Sequence, residues 1–259
     1  MQKSIVLITG ASSGIGREFA IQLDQDPSVN SDEFWLVARR EKELQETASR
    51  LRHPSRLLVL DLTDQQSFVQ IQRVLEQENP IVKFWVNNAG FGAYGLFENL
   101  PLERNLGMVQ LNIAALVALS HISLPYLTKG SVLLNVASLA AYFPLAHFAV
   151  YSATKAFVKN FSVALAAELE PKGILVHTLS PGPVKTEFGV VASAGAKSFM
   201  DYGQDPAKTV KRCLAAVKRR SWWSHPSLGW KLMVWMSRWF SIKTVARFSR
   251  KFMVRSSRS

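Results

Sequence analysis

A short apolar run, Ile5-Val6-Leu7-Ile8, passes through Thr9 into Gly10-Ala11-Ser12-Ser13-Gly14-Ile15-Gly16, and residues 17–23 then have helical character. No other stretch limits the fold as strongly. A buried parallel strand that enters a glycine turn and leaves as a helix brings backbone N–H groups and the positive end of a helix dipole to one point, where a pyrophosphate is stabilised. The glycines let main chain approach closely. Their spacing, Gly-x-x-x-Gly-x-Gly, leaves a tight structural turn as the alternative.

Strand and helix patterns alternate from there on. Residues 33–38, 56–60, 84–86, 131–136 and 174–179 read as further strands, with a short seventh near Trp222-Trp223. Between them, 41–51, 67–78, 102–119, a segment from Tyr151 and 207–219 read as helices; Phe68, Ile71, Val74 and Leu75 have the spacing of one buried face. Asp205-Pro206 supplies a cap and a first-turn proline for the last of these. This cadence specifies an α/β doubly wound parallel sheet, the Rossmann fold, in a single domain over residues 1–224, with ligands bound beyond the carboxyl ends of the strands. Residues 225–259 form a basic, tryptophan-rich helical extension.

The chemically suggestive residues all sit at such ends. Arg39-Arg40 follows the second strand, where an NAD enzyme presents an acid to the ribose 2′-hydroxyl and a basic residue accommodates a 2′-phosphate. NADP(H) is therefore expected over NAD, and solvated arginines opening a helix are the plainer alternative. Asp61-Leu62 closes the third strand; Asp61 suits an adenine edge or a cap for the Thr63 turn. Asn88, Ala89 and Gly90 follow the fourth strand, where small residues let a ribose or flat ring lie against backbone. Asn112 is a polar amide in an apolar helix and needs partners. Ser138 ends the fifth strand, and Pro181, Val184 and Thr186 follow the sixth.

Tyr151 and Lys155, four residues apart on a helix, share a face. A cation near a phenol lowers its pKa from about 10 and makes it a usable proton donor and acceptor. The bland alternative is a half-buried tyrosine beside a snorkelling lysine.

Taken in order, Thr9-Gly10-x-x-x-Gly14-Ile15-Gly16, Asp61, Asn87-Asn88-Ala89-Gly90, Asn112, Ser138, Tyr151-x-x-x-Lys155 and Pro181-Gly182 resemble the short-chain dehydrogenase/reductase family over roughly residues 3 to 190. The resemblance implies an oxidoreductase whose tetrad is Asn112, Ser138, Tyr151 and Lys155. Tyr151 would protonate the carbonyl oxygen and Ser138 would hydrogen-bond it. Lys155 would bind the nicotinamide ribose and lower the Tyr151 pKa, Asn112 would hold a water, and Pro181, Val184 and Thr186 would meet the carboxamide. Family members usually pair through the helices around Asn112 and Tyr151, so a homodimer or tetramer is expected. Phe188 and the residues up to Asp201 are expected to shape the substrate pocket as a mobile loop.

Charge separates the chain into two parts. All 19 acidic residues lie at or before Asp205, against 17 basic ones, whereas 14 basic residues from Lys208 to Arg258 face no acid, so the net charge of +12 belongs to the tail. The single cysteine, Cys213, excludes an internal disulfide and a cysteine-rich metal site, and no metal is expected. The start of the chain shows no secretion pattern, and the cytoplasm is the expected location, with the inner membrane face open to the tail. Residues 105–128 and 131–154 lack charged side chains but carry Asn105, Gln110, Asn112, His121 and Pro144, and are read as core, not as membrane spans. In the tail, Leu228, Leu232, Trp235, Met236, Trp239 and Phe240 fall on one helical face flanked by Lys231 and Arg238. A second basic stretch carries Val245, Phe248, Phe252 and Met253. Tryptophan among cations suits an interfacial helix on anionic lipid. Packing over the substrate cleft or a second subunit competes with that reading, as does a disordered basic end; nucleic acid is disfavoured because no recognition motif accompanies the charge. The expected substrate is hydrophobic and lipid-like. A soluble reductase of small ketones, aldehydes or sugars and an NADP-binding regulator are the alternatives.

Overall fold

Seven strands, β1 (Ser4–Thr9), β2 (Glu33–Ala38), β3 (Ser55–Val59), β4 (Ile81–Asn87), β5 (Leu127–Val136), β6 (Leu175–Leu179) and β7 (Trp223–Ser224), pair in parallel in the order β3-β2-β1-β4-β5-β6-β7. This computed structural model describes residues 2–193, 203–225, 227–236 and 239–252. The alternation of side chains along each strand sorts the core into two layers. On one face Val6, Ile8, Phe34 and Leu36 pack on Phe19 and Leu23 of α1 (Gly14–Gln25), Leu44 of α2 (Glu41–Ala48) and Val210 and Cys213 of α8 (Pro206–Lys218). On the other, Ile5, Leu7, Trp35 and Trp85 meet α3 (Gln65–Glu78), α5 (Leu116–Ser123) and α6 (Ala149–Leu169) through Ile71, Leu75, Leu119 and Leu169. Strands with apolar residues on both faces are what a sheet covered on both sides requires.

A buried polar chain registers β4 and β5 to the helices above them. Asn87 Nδ2 donates to Asn135 Oδ1 at 2.9 Å and to Ser120 Oγ at 3.0 Å, and Asn135 Nδ2 donates to Ser162 Oγ at 2.9 Å. Every amide in it has a partner, which is the condition for such a network to stabilise a core.

Four boundaries depart from the sequence pattern. Helix α2 stops at Ala48 instead of 51, because the chain turns there and Arg50 N–H bonds the Thr47 carbonyl. Strands β4 and β5 begin three and four residues earlier than their apolar runs, because polar or glycine positions, Lys83 in one and Thr128, Lys129 and Gly130 in the other, separate the buried Val82 and Leu127 from those runs. The helix expected over 102–119 continues to Ser123 as α4 (Leu102–Val109), a π-helical segment at Gln110–Ala115, and α5. Among the described residues one helical run, Leu102–Tyr126, is long and apolar enough to cross a membrane. It lies along the sheet with Ala115 and Leu119 in the core, as the sequence reading has it.

The extension folds into α9 (Leu228–Met236) and α10 (Ile242–Phe252). Its apolar stripe does not bury as a core face. Val234, off that stripe, is buried, whereas Leu232, Trp235, Met236, Trp239 and Phe240 are 44–75% exposed. Leu232, Met236 and Phe240 border an open cleft instead of meeting another layer, which is why they keep that exposure. Arg238 and Met253 lie outside the described residues, as do the side chains of Leu228, Trp230 and Phe252.

Candidate active site

The glycine turn after β1 places Gly10 and Gly14 at φ +66° and +54°, a region that residues with a Cβ resist. It delivers the chain to an α1 N-terminus with no side-chain cap and no acid in its first turn. Orphan N–H groups at such an end attract an anion. Ser12, Ser13 and Ile15 border the cleft there, while Gly16 lies beneath the turn, where its bare Cα lets α1 pack against the Gly10 carbonyl. Gly16 thus shapes the turn without facing the cleft, and the sequence pattern assigns it a contact the fold gives to its neighbours.

Asn88 holds the same turn from below. Its Nδ2 donates to the carbonyls of Thr9 and Gly10 at 3.0 and 3.2 Å, and the N–H groups of Asn88 and Ala89 donate to Thr9 Oγ1. Asp61 caps the Thr63 turn, accepting from Thr63 N–H at 2.9 Å and Thr63 Oγ1 at 2.7 Å, and its second oxygen faces Arg39 Nη1 at 3.5 Å. Arg39 stays 70% exposed at its side chain, open to an incoming group. Arg40 is engaged: its Nη2 donates to Glu187 Oε2 at 2.8 Å, to Ser13 Oγ at 3.1 Å and to Ser12 Oγ at 3.3 Å. Glu187 carries no motif signal beyond its place next to Thr186, and sequence reasoning passes over it.

Tyr151 and Lys155 project from the first turns of α6. Lys155 Nζ donates to the Val136 carbonyl at 2.8 Å and lies 6.0 Å from the Tyr151 ring centre. The sequence argument expects the cation to lower the phenol pKa. In the folded chain burial dominates, pushing Tyr151 up to about 12 against a smaller lowering from its hydrogen bond with Ser138, and the same burial pushes Lys155 down to about 8. With a pKa of about 8 Lys155 keeps most of its charge at neutral pH, and its ammonium is turned to the Val136 carbonyl. Ser138 lies two residues beyond the end of β5, and its Oγ accepts from Ala140 N–H at 3.1 Å.

Asn112 sits in the π segment and does not border the cleft. Its Nδ2 donates to the Phe91 carbonyl at 2.9 Å and to Thr154 Oγ1 at 3.1 Å, while its Oδ1 accepts from Phe91 N–H at 3.1 Å. These bonds fasten the loop after β4, at Phe91, to α6. A Cβ on Gly90 would stand 2.8 Å from Asn112 Oδ1 and 3.3 Å from Lys155 Nζ, so the glycine is what lets those two groups approach from one side.

The remaining expected residues, Gly10, Gly14, Leu62, Ala89, Pro181, Val184 and Thr186, border a single cleft of about 2210 Å³ together with Arg39, Tyr151, Lys155 and Ser138. Beyond Tyr151 its wall turns apolar through Phe148 and Phe188, whose rings lie 5.6 and 5.3 Å from that of Tyr151. Met233 of α9, with Val245 and Phe248 of α10, extends the wall. Ser249 ties α10 to the loop before α6, accepting from Ala146 N–H at 3.0 Å and donating to the Pro144 carbonyl at 3.3 Å. Of the sequence readings of the amphipathic tail, packing over the substrate cleft is the one this wall matches. Phe188 begins a short helix, α7 (Phe188–Ala192), in the segment expected to be a loop; the rest of that segment, with Lys197, lies outside the described residues.

Residues fit a dinucleotide here: an uncapped helix N-terminus, glycines where a Cβ would collide, and cations at the far end. Comparison with known proteins agrees. Residues 4–197 match the family described as short chain dehydrogenase. The chain is 34% identical to sulfoacetaldehyde reductase 2 of Chromohalobacter salexigens over 206 residues, covering 76% of this chain and 79% of that protein. It is 32% identical to serine 3-dehydrogenase of Agrobacterium fabrum over 202 residues, covering 76% and 78%. A solved short-chain dehydrogenase from Sphingobium yanoikuyae in complex with NADPH superposes with a TM-score of 0.79 at 27% identity, covering 99% of this chain and 98% of that one.

Proposed function

The chain belongs to the short-chain dehydrogenase family and is an NAD(P)-dependent oxidoreductase of alcohol and carbonyl groups; from that premise we propose that it uses NADP(H) to reduce a carbonyl on a bulky apolar, lipid-like substrate. The observation that carries this is the continuity of one cleft, from the cationic end at Arg39 past Tyr151 to the apolar wall supplied by α9 and α10. Substrate pockets commonly measure about 300–1,000 Å³, so a cleft of about 2210 Å³ has room for both a dinucleotide and a large second molecule. The named relatives act on small polar compounds, as their names state, but the family match ends at residue 197, ahead of the helices that make this wall. We accordingly treat residues 1–224 as the dinucleotide-binding domain and 225–259 as the extension that sets substrate class.

When bound, the nicotinamide supplies or accepts the hydride. Tyr151 gives its proton to the carbonyl oxygen as charge develops there, and Ser138 holds that oxygen by a hydrogen bond. A phenol that burial keeps protonated is the state reduction calls for, since an alkoxide is a far stronger base than a phenolate. Lys155 orients the ribose, and Asn112 holds the Phe91 backbone against α6. Phe148 and Phe188 exclude water from the reacting centre.

NADPH oxidation followed by absorbance, against a panel running from small aldehydes to bulky aryl and long-chain ketones, tests the assignment. The expected result is a kcat/KM at least tenfold higher with NADPH than NADH and highest for the bulky ketones. Preference for a small polar aldehyde would move the chain to the soluble-reductase reading.

Two further readings rest on exposed apolar surface. Leu102, Leu106 and Val109 of α4 are 63%, 58% and 41% exposed, and Phe157 of α6 is 38% exposed. Such faces support pairing of two copies, and a solution mass equal to one chain would remove that reading. Trp235, Trp239 and Ile242 are 56%, 75% and 77% exposed in the acid-free tail, which supports contact with an anionic membrane surface. The cytoplasm is the location we propose, consistent with a single buried thiol at Cys213.

A further inference from the structure

Glu187 occupies a position that the mechanism leaves unexplained. Its Oε2 lies 2.8 Å from Arg40 Nη2 and accepts from Ser13 Oγ at 3.1 Å. Ser13 is the N-cap of α1, and its hydroxyl accepts no hydrogen bond from that helix. A carboxylate therefore sits on the donors at the phosphate end of the cleft, while the neighbouring acids, Glu43 at 3.3 Å from Arg40 and Glu46 at 3.5 Å from Arg17, belong to α2 and face the arginines from the outside.

The same residue is attached to the other end of the site. Thr186, one residue before it, comes so near the glycine turn that a Cβ on Gly14 would stand 2.9 Å from its Cγ2. Phe188, one residue after it, lies against the Tyr151 ring at 5.3 Å. The helix that Phe188 begins is held to the cleft's far wall by Tyr94 N–H, which donates to the Ala192 carbonyl at 2.8 Å. Arg40 and Tyr151 are thus joined by one short piece of chain.

We propose that Glu187 is a specificity-determining latch: its carboxylate stands in for the 2′-phosphate of the dinucleotide on Ser13 and Arg40, and must be displaced when that phosphate arrives. This rests on the NADP(H) reading above. A 2′-hydroxyl carries no charge and leaves the Glu187–Arg40 pair intact, so the carboxylate taxes the phosphorylated cofactor and spares the unphosphorylated one. Glu187 in this way narrows the preference that Arg39 and Arg40 create, and its release frees the segment that positions Phe188 against Tyr151.

Fluorescence titration of NADPH and NADH binding to the full chain, without substrate, tests the proposal using wild type, Glu187→Gln, Arg40→Gln and the double variant. A half-exposed ion pair corresponds to about a fivefold change in affinity. Glu187→Gln is expected to tighten NADPH about fivefold and to leave NADH within twofold. In the Arg40→Gln background the same substitution should change NADPH affinity less than twofold. Equal tightening of both cofactors, weaker NADPH binding, or an unchanged effect without Arg40 would overturn the latch. Failure of the underlying reading looks different: wild type itself would then bind NADH more tightly than NADPH.

Discussion

Tyr151 carries the most weight of any single residue, and its environment decides what it can do. Burial raises its pKa to about 12 and lowers that of Lys155 to about 8, so at neutral pH the pair holds a protonated phenol beside a lysine that has begun to lose its charge. General acid assistance contributes about 10²–10⁴-fold to a rate. Tyr151→Phe should therefore lower kcat by at least 100-fold while NADPH affinity, read by cofactor fluorescence, stays within about threefold. Wild-type turnover in that variant would remove the proposed acid, and it would also open the regulator reading, in which a dinucleotide is sensed and nothing is reduced. The sequence pairs Tyr151 with Lys155 correctly but misjudges the direction of the pKa change. Spacing on a helix reports that a cation is near; it does not report how much water has been removed.

At the scale of elements, the short strand β7 depends on a buried imidazole. His177 of β6 shares one ring nitrogen with the Ser221 carbonyl at 2.6 Å and the other with Ser224 Oγ at 2.8 Å, which together fasten β7 to the sheet edge. Burial pushes the His177 pKa down from 6.5 to about 4. Below pH 6.5 the unfolded chain takes up a proton that the folded chain refuses until about pH 4, so stability is full above 6.5 and falls as the pH drops. This single ring should cost about 2 kcal/mol of unfolding free energy at pH 5 relative to pH 7. Burial lowers His225 as well and adds in the same sense, so the measurement is a difference. Denaturant unfolding of wild type and His177→Gln at both pH values should show a smaller pH 7 to pH 5 loss in the variant, and parallel losses would reject the assignment. The long elements are legible from sequence because their apolar periodicity is strong: β1, β2, α3 and α6 all lie where the pattern puts them. The short seventh strand expected near Trp222-Trp223 forms at Trp223–Ser224, whereas the π segment around Asn112 alters hydrogen bonding without altering composition and leaves no periodic signal. Glu187 and Ser249 were illegible for another reason. Each acts through a partner far away in the chain, Arg40 in one case and Ala146 in the other.

Across the whole molecule, charge and apolar exposure coincide at one end. Residues 1–207 are close to neutral, and every cation from Lys208 onward is unopposed by an acid in its own part of the chain. On α10 the exposed Lys243, Arg247, Arg250 and Lys251 occupy one face, and Val245 and Phe248 border the cleft from the other. Trp239, between α9 and α10, and Ile242, the first residue of α10, are 75% and 77% exposed. A bilayer surface with anionic headgroups matches both components: the cations gain about 1 kcal/mol each near such a surface, and tryptophan settles at its interface. The mouth of the cleft would then face the phase in which a lipid-like ketone is dissolved. Co-sedimentation of the full chain with anionic and with neutral vesicles should show binding to the anionic ones alone, weakening as salt rises through about 0.5 M because surface charges are then screened within a few ångströms. Replacing Trp235 and Trp239 by Ser should weaken binding at every salt concentration, since the apolar contribution is not screened. Absence of binding at low salt would assign these side chains to the cleft, as a lid whose exposed residues are covered by substrate. The same tryptophan variants would then raise KM for bulky ketones and leave that for small aldehydes unchanged, so the two assignments separate on a measurement that both predict.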